Sequence, residues 1–257
     1  MSDAELVTSL PSWAFAFVLV LSRVASACML IPALGEAELP ATVRAGFAMA
    51  FAILVLPVVM PLLPSPPADM LTALMLVATE AVTGLWLGWL ARLIMLALPM
   101  AAQIAASMVG LANVLQPDAA LGPQSTALAR LFGLAAPVLI LSSGLHALPL
   151  AALAGSYAIL KAGTLLSGGD AAEAVVVALA ESFSLALRLA APFVLASIVW
   201  NVALGLLTRL VPQLQVFFTA MPGQILGGFI LLSLLAGSIL AAWSEAARTM
   251  LATLPGL

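Results

Sequence analysis

The chain has 257 residues, 64% of them hydrophobic and only 7% charged, with a mean hydropathy of +1.23. A soluble domain carries about a quarter charged residues, so the composition excludes that class and describes an integral membrane protein. A net charge of −3 with no basic block argues against nucleic acid as a partner.

Lipid offers backbone groups no hydrogen-bond partner, so helices and closed barrels are the spanning solutions. Barrel strands alternate polar and apolar residues, whereas these runs are continuous and rich in Leu, Ala and Val. The expected fold class is therefore all-α, with about six long, kinked apolar segments arranged as hairpins. The single cysteine, Cys28, sits in an apolar run and reads as a small buried hydrophobe. The start, MSDAELV, lacks a basic region and a small-residue cleavage pattern, so the first apolar segment reads as retained.

That first segment runs from about Trp13 to Leu34 and holds Arg23 near its middle, where a charge needs a bundle, a wet cavity or a non-lipid surrounding. The linker GEAELPATVR follows, then a second segment, Ala45 to Leu63, ending in a proline-rich turn at Ser65 to Asp69. The third, Met70 to Leu98, exceeds a simple upright span of ~20 residues and carries Glu80 and Arg92. Gly84 and Gly88 lie four residues apart in it, a spacing that lets helix backbones approach closely.

From Pro99 to Gln124 the chain turns small and mildly apolar, with Gly110, Pro117, Gly122 and Pro123 set against one straight helix. A re-entrant or interfacial loop is the plain reading of this stretch. The fourth segment, Ser125 to Ile159, contains Arg130 and the only histidine, His146, for which a hydrogen-bonded structural role is expected. The linker Gly163 to Glu173 offers Asp170 as a helix N-cap with Glu173 completing a capping box.

The last two segments are Ala174 to Thr208 and Gly223 to Leu254. Glu181 and Arg188, seven apart, share a helix face in the first and make a loose pair at best. Gly223 and Gly227 repeat the close-packing spacing in the second. Between them RLVPQLQVFFTAMPGQ reads as a hairpin turn: Pro212 and Pro222 break helical bonding at its two ends, and Arg209 covers the unpaired carbonyls of the preceding helix. With the N-terminus outside, Arg44, Arg130 and Arg209 fall at inside turns, which places the turn on the cytoplasmic side.

No serine is paired with a base, no histidine clusters with carboxylates, and there is neither zinc spacing nor a phosphate-binding glycine loop. The sequence thus reads as no enzyme, with no cofactor and no metal site. A coupled transporter would gather ionisable groups at a midplane site; here they are scattered, although Arg23, Glu80, Arg92, Glu181 and Arg188 keep that class open.

The run APFVLASIVWNVALGLLTRLVPQLQVFFTAMPGQILGG resembles the C-terminal signature of the FliR family, the flagellar export-gate proteins. That signature reads N-x-A-L-G-L-L-x-R-x-x-P-Q-L-x-x-F, with a proline a few residues on. Asn201, Ala203, Leu204, Gly205, Leu206, Leu207, Arg209, Pro212, Gln213, Leu214, Phe217 and Pro222 fit it. Arg23, Pro32, Pro40 and Arg44 resemble the family's arginine-bearing first helix and its P-x-x-x-R linker, and Gly110, Leu111 and Arg130 its central region. The chain departs from the family at Pro117-Asp118, where Asp-Pro is usual, and at Gly144 to His146.

The resemblance implies a single FliR-like membrane domain over 1–257, with a FliP-like part at 1–162 and a FliQ-like helical hairpin at 174–254. It implies a spiral assembly with FliP-like and FliQ-like subunits in the inner (cytoplasmic) membrane at the basal body, FlhB-like and FlhA-like neighbours, and unfolded export substrates. Arg209, Pro212, Gln213, Phe217 and Pro222 would form the cytoplasmic turn and partner contact. The central stretch, with Met108, Val109, Gly110, Leu111, Asn113, Val114, Leu115, Gln116 and Pro117, would plug the closed channel. The related injectisome export gate has the same architecture and remains the alternative; a small-molecule secondary transporter is a further one, and a membrane enzyme a distant third.

Overall fold

The computed structural model describes residues 3–110, 126–210 and 216–257, with side-chain surroundings for 9–110, 126–210 and 219–257. Seven α-helices are found among the described residues: α1 Asp3–Cys28, α2 Ala41–Val59, α3 Met70–Met108, α4 Ala127–Ser142, α5 Ala147–Ile159, α6 Gly168–Leu210 and α7 Val216–Ala252. A 3-10 turn, Met60–Leu62, extends α2. Among the described residues five helices (α1, α2, α3, α6 and α7) contain stretches long and apolar enough to cross a membrane, six if α4 and α5, bent by 68° at the break between them, count as one span.

Several boundaries differ from those the sequence suggests, for one recurring reason. Pro99 lies inside α3, which runs on to Met108, and Pro222 lies inside α7, which already starts at Val216. Proline removes one helical hydrogen bond, but an apolar helix has nowhere else to satisfy its remaining backbone groups, so it continues past the defect. Of the stretch Arg209 to Gln224, Arg209 lies in α6, and Phe217, Pro222, Gly223 and Gln224 are helical in α7. Conversely, the fourth segment is split between Ser142 and Ala147, where Gly144 has a φ of 74°.

Asp170 is not the N-cap of α6. The helix begins at Gly168, the Ser167 carbonyl accepts from the Ala171 N–H at 2.9 Å, and Asp170 sits within the first turn, where its charge favours the helix dipole. His146 Nδ1 is buried and finds no hydrogen-bond partner among the described residues, contrary to expectation.

The chain divides into two compact units, each built from separated segments. The first comprises Met1–Leu93, Ile140–Ala178 and Arg248–Leu257. Its core is a stripe of α1 (Ala16, Val20, Val24, Ala27, Cys28) against a stripe of α2 (Ala48, Ala52, Val55, Val59), joined by Leu87, Leu153 and Tyr157. Both stripes recur every three or four residues, the spacing that lines one helix face. In the same unit Gly155 of α5 abuts the backbone of Gly256, and the Trp86 indole N–H reaches the Ala171 carbonyl at 3.1 Å. The second unit comprises Ile94–Leu139 and Leu179–Ala247. There α3 is buried on nearly all sides through Leu98, Ala102, Ala105 and Ala106, and the Trp243 indole donates to the Ile94 carbonyl at 3.3 Å.

Helix α3 starts at a capped, exposed end. The Thr72 N–H and hydroxyl both donate to Asp69, each at 3.1 Å. These bonds, the backbone one first, hold the Asp69 carboxyl below the usual carboxylate range. Because the folded value is the depressed one, the contribution is complete above the unfolded value and is lost as pH falls through the folded one. Asp69→Ala is therefore expected to speed amide exchange at Thr72 strongly near neutral pH. The ratio to the parent protein, followed by hydrogen exchange, should fall towards one in acid.

Candidate functional site

Arg23 of α1 is wholly buried, and its guanidinium meets Glu80 of α3 in a two-pronged contact: Nε to Oε2 at 2.8 Å and Nη2 to Oε1 at 3.0 Å. Nη1 donates to Ser156 Oγ at 3.0 Å, and Nη2 also to the Leu160 carbonyl at 3.1 Å. The Tyr157 ring lies 3.9 Å from the guanidinium carbon, a cation–π distance. On the other side the Gly163 N–H donates to Glu80 Oε1 at 2.9 Å, from a turn in which Gly163 takes a φ of 78° that only glycine adopts without strain. Helices α1, α3 and α5 and the turn after α5 thus converge on one charge pair with its hydrogen bonds largely made.

The glycines of α3 make the convergence possible. A Cβ on Gly84 would collide with the Arg23 carbonyl and Ser26 Oγ, and one on Gly88 would come within 2.7 Å of the Ala27 carbonyl. Helix α3 therefore touches α1 backbone to backbone at the level of the ion pair. A second pair, Arg92 with Glu36 at 3.3 Å, is half-buried; Arg92 also reaches the Gly35 carbonyl at 3.4 Å, tying the chain after α1 to α3. Arg44 in turn donates to the Glu36 and Leu39 carbonyls. Glu181 and Arg188 on α6 are both exposed and form no ion pair with each other.

At the other end of α3 the structure describes Met108, Val109 and Gly110 of the expected plug; Leu111, Asn113, Val114, Leu115, Gln116 and Pro117 lie outside the described residues. Met108 closes the helix, and Gly110 leaves it with a φ of 77°. A cleft of about 300 Å³ adjoins this end, lined by Met108, Val109, Trp200, Gly223, Gln224 and Gly228 among others. Of the expected partner contact, Arg209 is exposed in the last turn of α6, Pro222 is exposed within α7, and Pro212 and Gln213 lie outside the described residues. Phe217 is helical, and its side chain also falls outside them.

The glycine spacing in α7 works differently from that in α3. A Cβ on Gly223 would make ordinary contact with the Trp200 ring, at 3.4 Å, whereas Gly227 faces open space. The tight approach belongs to Gly228, where a Cβ would stand 2.6 Å from that of Val109. Sequence spacing marks Gly227 and passes over Gly228, because the contact depends on which face α7 turns to α3. Glu80 as the partner of Arg23 was equally hidden, 57 residues away.

Residues 14–250 match the family described as Bacterial export proteins, family 1. The flagellar biosynthetic protein FliR of Caulobacter vibrioides is 32% identical over 233 residues, which cover 91% of this chain and 93% of that one. FliR of Bacillus subtilis is 30% identical over 226 residues, covering 84% of each chain. FliR of Escherichia coli K12 is 28% identical over 226 residues, covering 87% of this chain and 85% of its own.

Removing one member of a buried ion pair strands the other, at about 3–5 kcal/mol, whereas replacing both by apolar residues of similar size is often neutral. Arg23→Met and Glu80→Leu are each expected to lower thermal stability in detergent steeply, and the double variant to recover most of it. A double variant as unstable as the sum of the two singles would show that the pair does more than satisfy itself.

Proposed function

The chain belongs to the FliR family of bacterial export proteins, and on that premise we propose that it is a core subunit of the flagellar export gate. In this reading it joins FliP-like and FliQ-like subunits in the cytoplasmic membrane to form the channel for unfolded flagellar proteins. The relatives' own names, flagellar in each case, favour this over the injectisome. The subunit supplies a path and performs no chemistry; the energy comes from other components.

The observation that carries the assembly reading is how little of α6 and α7 the chain itself covers. Only 28% of the apolar window of α6 and 11% of that of α7 are buried, against 61% for α3. At ~1.5 Å per residue α6 is about 65 Å long, roughly twice the ~30 Å of a bilayer's hydrocarbon layer. Lipid alone is a poor cover for such a helix, because Glu181 and Arg188 are exposed on it and a charge at the bilayer centre costs about 2.5–3.5 kcal/mol on insertion scales. Neighbouring subunits that bring polar groups to those positions remove the cost.

Residues 1–162 then serve as the FliP-like part and 174–254 as the FliQ-like hairpin, with the chain around Arg209 and Pro212 on the cytoplasmic side near FlhB-like and FlhA-like proteins. The stretch from Met108 to Pro117 closes the channel at rest. Its beginning supports that assignment: a glycine turn at Gly110 beside a cleft, just past α3, which is 61% buried over its apolar window.

Affinity purification from detergent-solubilised membranes is expected to recover FliP-like and FliQ-like subunits with this chain in one particle. A monodisperse, partner-free protein fully resistant to protease would remove the assembly reading. Deleting residues 110–117 should leave that particle intact while resting cells become permeable to ions or small solutes. Unchanged membrane conductance in the assembled deletion variant would return the stretch to the role of a connector.

A further inference from the structure

We infer that Gln224 of α7, together with Gly228 on the next turn, is a catch that holds the end of α3 in its resting position. The inference rests on the channel reading above and adds to it the residues that set the resting state.

The last carbonyls of a helix have no intrahelical donor. At α3 one of them, that of Met108, accepts a hydrogen bond from Gln224 Nε2 at 3.1 Å, 116 residues further along the chain. Val109, one residue on, still bonds back to the Ala105 carbonyl at 3.0 Å and is buried. It fits against Gly228, where there is no room for even a methyl group. The two contacts on α7 are four residues apart and so lie on one helix face. Immediately beyond them Gly110, with its φ of 77°, turns the chain out of the helix.

A plain helix cap would need only the first contact and would be closely packed around it. Here the gripped end adjoins the cleft of about 300 Å³. The cleft is partly open, with exposed Ile230 and Leu234 on its wall, and it leaves that terminus space to move into. Trp200, on the wall of the cleft, has a buried indole N–H without an acceptor among the described residues. One neutral hydrogen bond is enough to shift a two-position equilibrium by up to roughly tenfold, so the catch is strong enough to bias the resting state and weak enough to release.

The test uses cells carrying the whole complex with Gln224→Leu, Gly228→Ala, or Gly228→Ala combined with Val109→Gly, next to the parent and the 110–117 deletion. Small-solute leak is measured in the absence of export, and recovery of the assembled particle is measured in parallel. Gln224→Leu and Gly228→Ala are expected to raise the leak several-fold at unchanged assembly. The double variant, which returns the lost space, should bring it back towards the parent. If the deletion leaks while assembled Gln224→Leu and Gly228→Ala do not, the catch is overturned and the channel seal stands. If the assembled deletion does not leak either, the seal itself fails. Should Gly228→Ala assemble poorly, Gln224→Leu alone decides, since it removes the bond without adding bulk beside Val109; an assembled, tight Gln224→Leu complex overturns the proposal.

Discussion

A charge inside an apolar helix has to be answered, and in this protein the answer to Arg23 organises a whole unit. Its guanidinium is wholly buried, so water cannot hydrate it. The chain surrounds it with Glu80, Ser156, the Leu160 carbonyl and the Tyr157 ring. These groups come from separate stretches of the sequence, and each has to arrive in register. The unpaired alternative is costly enough that α1, α3 and α5 have few other ways to come together. The pair contributes little net energy by itself, since burying two ions offsets most of their attraction; what it contributes is a unique arrangement of otherwise interchangeable apolar helices.

Much of the fold could be read from composition because a membrane leaves so few options. Continuous apolar runs are helices, and their number and order follow. Their ends could not be read as well, since the same constraint carries α3 past Pro99 and α7 back beyond Pro222. Proline and glycine punctuate a chain in water, where loops are solvated; in a helix with no solvent they leave only a local defect. The capping pattern at Asp170 misled for a related reason: the glycines before it look like a linker, but the Ser167 carbonyl already begins the helix.

Contacts between helices were the least legible layer. Sequence spacing shows that Gly84 and Gly88 share a face, and Gly223 and Gly227 likewise, but not which neighbour each face meets. In α3 the pattern coincides with a close approach to α1; in α7 the close approach has moved one residue, to Gly228. Gln224 lies within a stretch that the sequence marks as a turn, and only its place on a helix beside Met108 gives it a distinct role. The uncovered surfaces of α6 and α7 are equally invisible in a hydropathy profile, which counts apolar residues without asking what they touch.

Residue 23 is held twice, and the two holds differ in what a substitution can do to them. Its side chain is gripped by Glu80, its backbone by Gly84, one turn further along the same helix. The charges are exchangeable in principle: replacing both together leaves the backbone contact that sets the helix spacing. The glycines are not, since even the smallest side chain at Gly84 meets a carbonyl that cannot move without moving α1. A paired change of the two charges therefore leaves the backbone contact beneath them in place, whereas any side chain at Gly84 displaces α1 itself.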